Sequence, residues 1–215
     1  MSFERKLAMN AQHIAIEACN ISKGYLKPGM SEKDFASLCE EVMLDLGANG
    51  LWYPMLVNFG TNTVYCTRGK HLPSDKVFLA DNDIVLVDFS PLVNGYWGDY
   101  SETILVGYDS FFSKLINDAR EVFEQTYSRA RVSRTIGDLY WFCREMIENR
   151  GYKLLDPNGN IGHSIEDGTN LDKRVYIDHT NVNEALTGKR WAIEPHIGKN
   201  GFGAKFENVI ESLRI

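Results

Sequence analysis

Asp83–Gly107 reads DIVLVDFSPLVNGYWGDYSETILVG, and this stretch decides the fold. Asn94-Gly95 is a strong hairpin signal, because a two-residue type I′ turn needs positive φ at both positions. An apolar run precedes the turn and a β-rich run ending Ile104-Leu105-Val106 follows it, so two antiparallel strands are expected. The turn pairs Asp88 with Ser101 and Asp99 with Ser90. The aspartates then form a diagonal pair on one face, their backbones about 7–8 Å apart. That is close enough to share a metal ion and uncomfortable without one.

Further along, RWAIEPHIGKNGFGAKFENVIESL repeats the pattern around Asn200-Gly201. Here the turn pairs Glu194 directly with Glu207, placing their Cβ atoms about 4.5–5.5 Å apart. Like charges so placed are destabilising unless something positive lies between them, and a divalent cation is the simplest candidate. Acids beside a hairpin are ordinarily solvated. These, however, stand at the inner ends of the apolar runs VLVD and WAIE, which read as buried strands. Paired acids also serve as glycosidase couples, but four carboxylates in two pairs fit a two-metal cluster better.

Both hairpins follow repeated helical sequence. KPGMSEKDFASLCEEVMLDLG and SRTIGDLYWFCREMIENRG align at one constant offset, with Ser31 on Thr135, Asp34 on Asp138, Cys39 on Cys143 and Gly47 on Gly151. Each opens with Ser/Thr-x-x-Asp, an N-cap with an acid in the first turn, and closes at a glycine suited to a left-handed cap. Helix-patterned stretches, about 3–25 and 110–131, precede them. Two copies are too few for a solenoid, so a pseudo-twofold domain is expected. The fold class is α+β: residues 1–215 as one domain, with halves of about 1–107 and 108–215 building a curved antiparallel sheet covered by helices. LWYPMLVNFG, GNIGHSI and VYIDHTNV supply further strand-like runs, with a polar insertion around EDGTNLDKR.

Composition narrows the function classes. At 215 residues, one domain is the first expectation against a typical size of roughly 150. Lys+Arg 23 against Asp+Glu 29 gives net charge −6, and the pI is near 5.4, so the basic field that nucleic acid or an anionic membrane requires is missing. Hydrophobic content of 44% with 24% charged residues is globular and argues against disorder. Cys19, Cys39, Cys66 and Cys143 include no CxxC pair and read as reduced thiols of a cytoplasmic protein. The amphipathic N-terminus has no apolar signal-like region, and no 18-residue apolar run occurs.

Five histidines could complete a carboxylate cluster. His163, in Gly-His-Ser-Ile between a capped helix and a strand, is the plausible ligand, whereas His13 on the first helix reads as structural. In order and spacing, VDFSPLVNGYWGDYSETILVG, GHSI, AIEP and GAKFEN resemble the pita-bread metallopeptidases, the family of methionine aminopeptidase, prolidase, aminopeptidase P and creatinase. The resemblance spans nearly the whole chain. It implies metal ligands Asp88, Asp99, His163, Glu194 and Glu207, with Asp99 and Glu207 bridging two ions, Asp88 and Glu194 each holding one, and His163 capping the other. Two divalent ions about 3.5–4 Å apart would generate a bridging hydroxide and polarise the scissile carbonyl. The hard ligand set leans towards Mn²⁺, with Co²⁺, Fe²⁺ or Zn²⁺ as alternatives. Glu194 would carry the proton from water to the leaving amine.

The chain departs from the family in places. The substrate-contacting histidine expected five residues after Asn62 falls on Thr67. His71 replaces it if the loop is rearranged, and otherwise is a surface residue. The second family histidine, seven residues after His163, falls on Asn170, and His179 is the better candidate because it follows VYID. His196 stands where prolidase-like members have glycine, and Asn208 where they have aspartate.

The expected function is a dinuclear metallo-aminopeptidase, a hydrolase of the N-terminal bond of short peptides with Xaa-Pro or Met-type preference open. Aromatics from LWYP and GYWGDY are expected around its pocket. A creatinase-like hydrolase of a small non-peptide amide or amidine, and a non-catalytic peptide-binding member, are the alternatives. The expected partner is a short peptide, with no nucleic acid and no membrane. A homodimer through a sheet edge or helix face is compatible with a lone catalytic domain.

Overall fold

Ser31 and Thr135 cap matching helices. The Ser31 hydroxyl accepts from the Asp34 amide at 3.0 Å and the Thr135 hydroxyl from the Asp138 amide at 3.1 Å. In the second helix the Asp138 carboxylate also accepts from the Thr135 amide, closing a reciprocal capping box. These helices are α2 (Glu32–Asp45) and α4 (Ile136–Asn149), each of 14 residues. Each is preceded by a 21-residue helix, α1 (Phe3–Lys23) or α3 (Ser110–Ala130). Gly47 and Gly151 take φ of +102° and +72° just beyond α2 and α4, where a side chain would be strained. The structure, a computed structural model, describes residues 2–66, 71–165, 173–186 and 189–210.

The strands are β1 (Gly50–Leu51), β2 (Leu56–Phe59), β3 (Asp83–Phe89), β4 (Pro91–Val93), β5 (Tyr96–Trp97) and β6 (Tyr100–Val106) in the first half. The second half holds β7 (Lys153–Leu154), β8 (Gly162–Ile165), β9 (Arg190–Ile193), β10 (His196–Lys199), β11 (Phe202–Lys205) and β12 (Asn208–Ile210). The central ladders run β2-β3-β6 and β8-β9-β12, with outer ladders β1-β4-β5 and β7-β10-β11. All the pairings among them are antiparallel. Both Asn-Gly turns have positive φ at both positions, 50° and 85° at Asn94-Gly95 and 55° and 83° at Asn200-Gly201. The expected register follows. Asp88 faces Ser101, and the pairs Ile193–Asn208 and His196–Lys205 flank Glu194 and Glu207 without a slip.

Two runs depart from the sequence reading. LWYPMLVNFG divides into β1 and β2, with Trp52-Tyr53-Pro54-Met55 between them, because the ends pair with different partners, β4 and β3, and Pro54 can donate no ladder bond. VYIDHTNV forms only an isolated bridge, Tyr176 to His163, although Val175 and Ile177 bond to the backbone of β8. Residues 166–172, within the polar insertion, and residues 67–70 lie outside the described residues, so the readings placed on Thr67 and Asn170 do as well.

Each half has its own core. In the first, Ala11, Ala15 and Cys19 of α1 and Phe35 and Cys39 of α2 pack against Val57, Val85 and Val87. In the second, Leu115 and Val122 of α3 and Leu139 and Cys143 of α4 pack against Trp191, Ile193 and Ile197. The sheets meet where Ser101 and Glu207 form a bridge, the Glu207 amide donating to the Ser101 carbonyl at 3.0 Å. All four cysteines are free, and no described helix is long and apolar enough to cross a membrane.

Candidate metal centre

The bridge at Ser101–Glu207 brings the two acid-bearing hairpins together. Asp88 comes from β3, Asp99 from the turn into β6, Glu194 from the end of β9, and Glu207 from just before β12. Asp88, Asp99 and Glu207 are buried, with exposures of 1%, 0% and 1%. His163 joins them from β8. Gly162 permits this, since a Cβ there would stand 2.2 Å from the Ala192 carbonyl oxygen of β9.

His163 points its Nε2 at the carboxylates, 3.3 Å from Asp99 Oδ2 and 3.5 Å from Glu194 Oε1. Its Nδ1 lies 2.8 Å from the Ser164 carbonyl. A carbonyl only accepts, so Nδ1 carries a proton, and in the neutral imidazole Nε2 then presents its lone pair to the cluster, the tautomer of a metal ligand oriented from behind. Lone pair against carboxylates is repulsive unless a cation intervenes. Ligand atoms of Asp99, His163 and Glu207 all lie within 4.8 Å of one another. Glu207 Oε2 is held by the Ser101 hydroxyl at 2.7 Å, while its buried Oε1 has no hydrogen-bond partner among the described residues. Burial, then Asp99 and Glu194, push the Glu207 carboxyl well above its usual range, and the Lys205 ammonium only partly opposes them. The Glu207 carboxylate, the His163 Nε2 and Asp99 fit one divalent cation.

Three residues around the cluster carry parts that the sequence reading did not assign. The Tyr53 hydroxyl donates to Asp88 Oδ1 and lies 3.2 Å from Asp99 Oδ1, lacing the two aspartates together. Gln12 of α1 grips the Asp99 main chain and donates to Asn208 Oδ1 at 3.0 Å, so Asn208 is tied towards Asp99. Lys205 enters the cluster itself: Nζ lies 2.8 Å from Asp88 Oδ2, 2.7 Å from Glu194 Oε2 and 2.9 Å from Glu207 Oε2. Burial pushes that ammonium down, but Asp88, Glu194 and Glu207 outweigh it and hold it well above its ordinary value. The available signal was strand alternation, which puts Lys205 on the same face as Glu207 two residues on.

A cleft of about 150 Å³ opens onto the cluster, lined by Cys66, Asp156, Asn160, His163, Arg174 and Tyr176 with Glu194. Of the aromatics expected around the pocket, Trp52 stacks on Trp97 at 4.7 Å, meets the His163 ring edge-on at 6.2 Å and lies under the Arg174 guanidinium, and Tyr53 meets Trp52 edge-on. Neither His71 nor His179 lines the cleft. His71 stacks on Tyr65 at 4.6 Å, and His179 lies 6.4 Å from the Tyr140 ring. His196 is buried, its Nε2 bonded to the Thr63 carbonyl at 2.8 Å, and burial with the nearby Lys205 pushes its pKa down to about 3. It is a neutral structural imidazole. His13 is exposed on α1.

Methionine aminopeptidase of Escherichia coli K12 is 25% identical over 200 residues, covering 87% of this chain and 72% of the relative. Among solved structures, the Pyrococcus horikoshii prolidase superposes with a TM-score of 0.83 at 22% identity, over 98% of this chain and 59% of that one. The Thermotoga maritima methionine aminopeptidase gives 0.73 at 21% identity, over 95% and 91%. The chain spans 61% of the length of the Thermotoga maritima X-Pro aminopeptidase, whose fold it also shares with a TM-score of 0.78. These neighbours have the pita-bread fold that the resemblance implied. A model of metallopeptidase family M24 matches residues 6–211, and on this match across nearly its whole length the chain belongs to that family.

Proposed function

We propose that the protein is a metal-dependent aminopeptidase or dipeptidase that hydrolyses the N-terminal bond of short peptides. One observation carries this reading: ligand atoms of Asp99, His163 and Glu207 converge beside a cleft that His163 and Glu194 line, and Glu207 keeps a buried Oε1 with no hydrogen-bond partner among the described residues. A bound divalent cation would supply Lewis acidity, acidifying water and polarising a carbonyl at neutral pH.

The chain's own groups account for the rest. Glu194 faces both the cluster and the cleft, its side chain 13% exposed, so it can accept a proton from water and return it to the leaving amine. Arg174 offers a cation to a substrate carboxylate, while Asp156 and Glu194 offer anions to a substrate ammonium. The volume, about 150 Å³, is near that of a cavity that holds benzene, which suits one side chain at a time. His71 and His179 lie outside the cleft wall, so proton transfer is assigned to Glu194. Among candidate metals, the oxygen-rich set favours Mn²⁺.

The test is turnover of Met-Ala-Xaa, Ala-Ala-Xaa and Xaa-Pro peptides by metal-stripped protein resupplied separately with Mn²⁺, Co²⁺, Fe²⁺ and Zn²⁺. Metal-dependent release of an N-terminal residue is expected, and the panel identifies the preferred bond. Tight metal binding with no turnover of any peptide would overturn the peptidase reading in favour of a non-peptide substrate or a binding role.

A further inference from the structure

We propose that the Lys205 ammonium permanently occupies the place of one of the two cations that the family resemblance implies, making this a centre of one divalent ion and one built-in lysine. The inference deepens the metal-dependent reading above and rests on it.

The geometry is that of a filled cation site. An ammonium has three N–H donors, and those of Lys205 meet three carboxylates, Asp88, Glu194 and Glu207, at 2.7–2.9 Å. The side chain is 2% exposed, so its charge is committed to this cluster. Asp88, which has no place in the Asp99–His163–Glu207 group, is engaged by the protein at both oxygens. Its Oδ2 takes Lys205 and its Oδ1 takes the Tyr53 hydroxyl. A divalent ion on Asp88 would need an oxygen at about 2.0–2.2 Å and would sit against the ammonium, two cations sharing the same carboxylates. On the opposite side, ligand atoms of Asp99, His163 and Glu207 lie within 4.8 Å of one another, and Glu207 keeps a buried Oε1 with no hydrogen-bond partner among the described residues. Charge agrees: one lysine and one divalent ion bring three positive charges to four carboxylates, whereas a lysine and two ions would exceed them.

Lys205 can act in this way only through tertiary structure. It stands opposite His196 in the β10–β11 ladder, and its backbone is pinned on both sides by Thr103 of the other half, whose hydroxyl donates to the Lys205 carbonyl and accepts from the Lys205 amide. The strand is therefore held where Nζ reaches Asp88 of the first half.

The experiment counts ions. Metal-stripped full-length protein is titrated with Mn²⁺ alone by calorimetry, and the electron paramagnetic resonance of the bound ion is recorded. Wild type should bind one Mn²⁺ per chain, with the hyperfine pattern of an isolated ion. Lys205→Met should bind a second Mn²⁺ and show the broadened spectrum of a coupled pair. Asp88→Asn, which keeps the lysine, should still bind one ion with affinity within about threefold of wild type, because Asp88 serves Lys205. It keeps the proposal testable if Lys205→Met fails to fold. Two ions in wild type, a single ion in folded Lys205→Met, or loss of the ion in Asp88→Asn would each overturn the proposal. No ion in folded wild type would instead overturn the metal-dependent reading beneath it, so the count separates the two failures.

Discussion

Gln12 holds Asp99 by both of its main-chain groups: Nε2 donates to the Asp99 carbonyl at 2.8 Å and Oε1 accepts from the Asp99 amide at 2.9 Å. A helix in the first core thereby fixes the backbone of a central acid. Gln12→Ala leaves a buried amide and a buried carbonyl without partners, a loss of about 2–4 kcal/mol. A lowered urea midpoint with unchanged slope, together with weaker Mn²⁺ binding, is the expected result.

Tyr53 donates its hydroxyl to Asp88 and reaches Asp99. Tyr53→Phe keeps the ring against Trp52 and removes only that oxygen. Its contact with Asp99 at 3.2 Å makes it an outer partner of a residue in the ion group, and such partners typically contribute about 10–100-fold in affinity. Calorimetry with Mn²⁺ should therefore show a drop at the low end of this range, with the thermal midpoint little changed.

Glu207→Gln removes the orphaned carboxylate oxygen while preserving shape and the contact to Ser101. Mn²⁺ affinity should fall by more than about 100-fold, beyond the effect of losing an outer partner, and peptide turnover should vanish. Circular dichroism should remain that of wild type. Unchanged turnover would remove Glu207 from the site.

The capping box of α4 makes a separate acid-dependent contribution. Backbone amides of Thr135 and then Arg134, each 3.1 Å from Asp138 Oδ2, hold that carboxyl below its ordinary 3.8. A depressed carboxyl stabilises the fold above its unfolded pKa, and this contribution disappears as pH falls through the lower folded value. Asp138→Asn should therefore be less stable than wild type at pH 7, and the gap should close as the pH falls below the ordinary carboxylate range. Urea titrations at pH 7 and below that range check this.

Cys66 lines the cleft, yet burial pushes its thiol up to about 12. Alkylation of this position by iodoacetamide should be slow at pH 7.5 and climb about tenfold per pH unit up to pH 10 without a plateau, because the thiolate is the nucleophile. Mass spectrometry of the Cys66 peptide follows the rate.

Local signals made much of this protein legible from its residues in order. Ser31 and Thr135 with acids three residues on, and glycines 47 and 151, bounded two helices because caps are interactions within a few residues. Asn94-Gly95 and Asn200-Gly201 set the register because a two-residue turn leaves one pairing, and that register put Asp88, Asp99, Glu194 and Glu207 at the inner ends of buried strands. Tertiary structure alone decided which side chains from distant segments meet there. Gln12 and Tyr53 lie in a helix and a strand break, and no periodicity ties them to Asp88 or Asp99, nor Lys205 in its hairpin arm to Asp88 of the other half. The docking of β6 against Glu207, through Ser101, brings a lysine from one half onto an aspartate from the other. A charge's partners are set by distance in space, and spacing along the chain reports that distance only within a turn, a helix face or a paired strand.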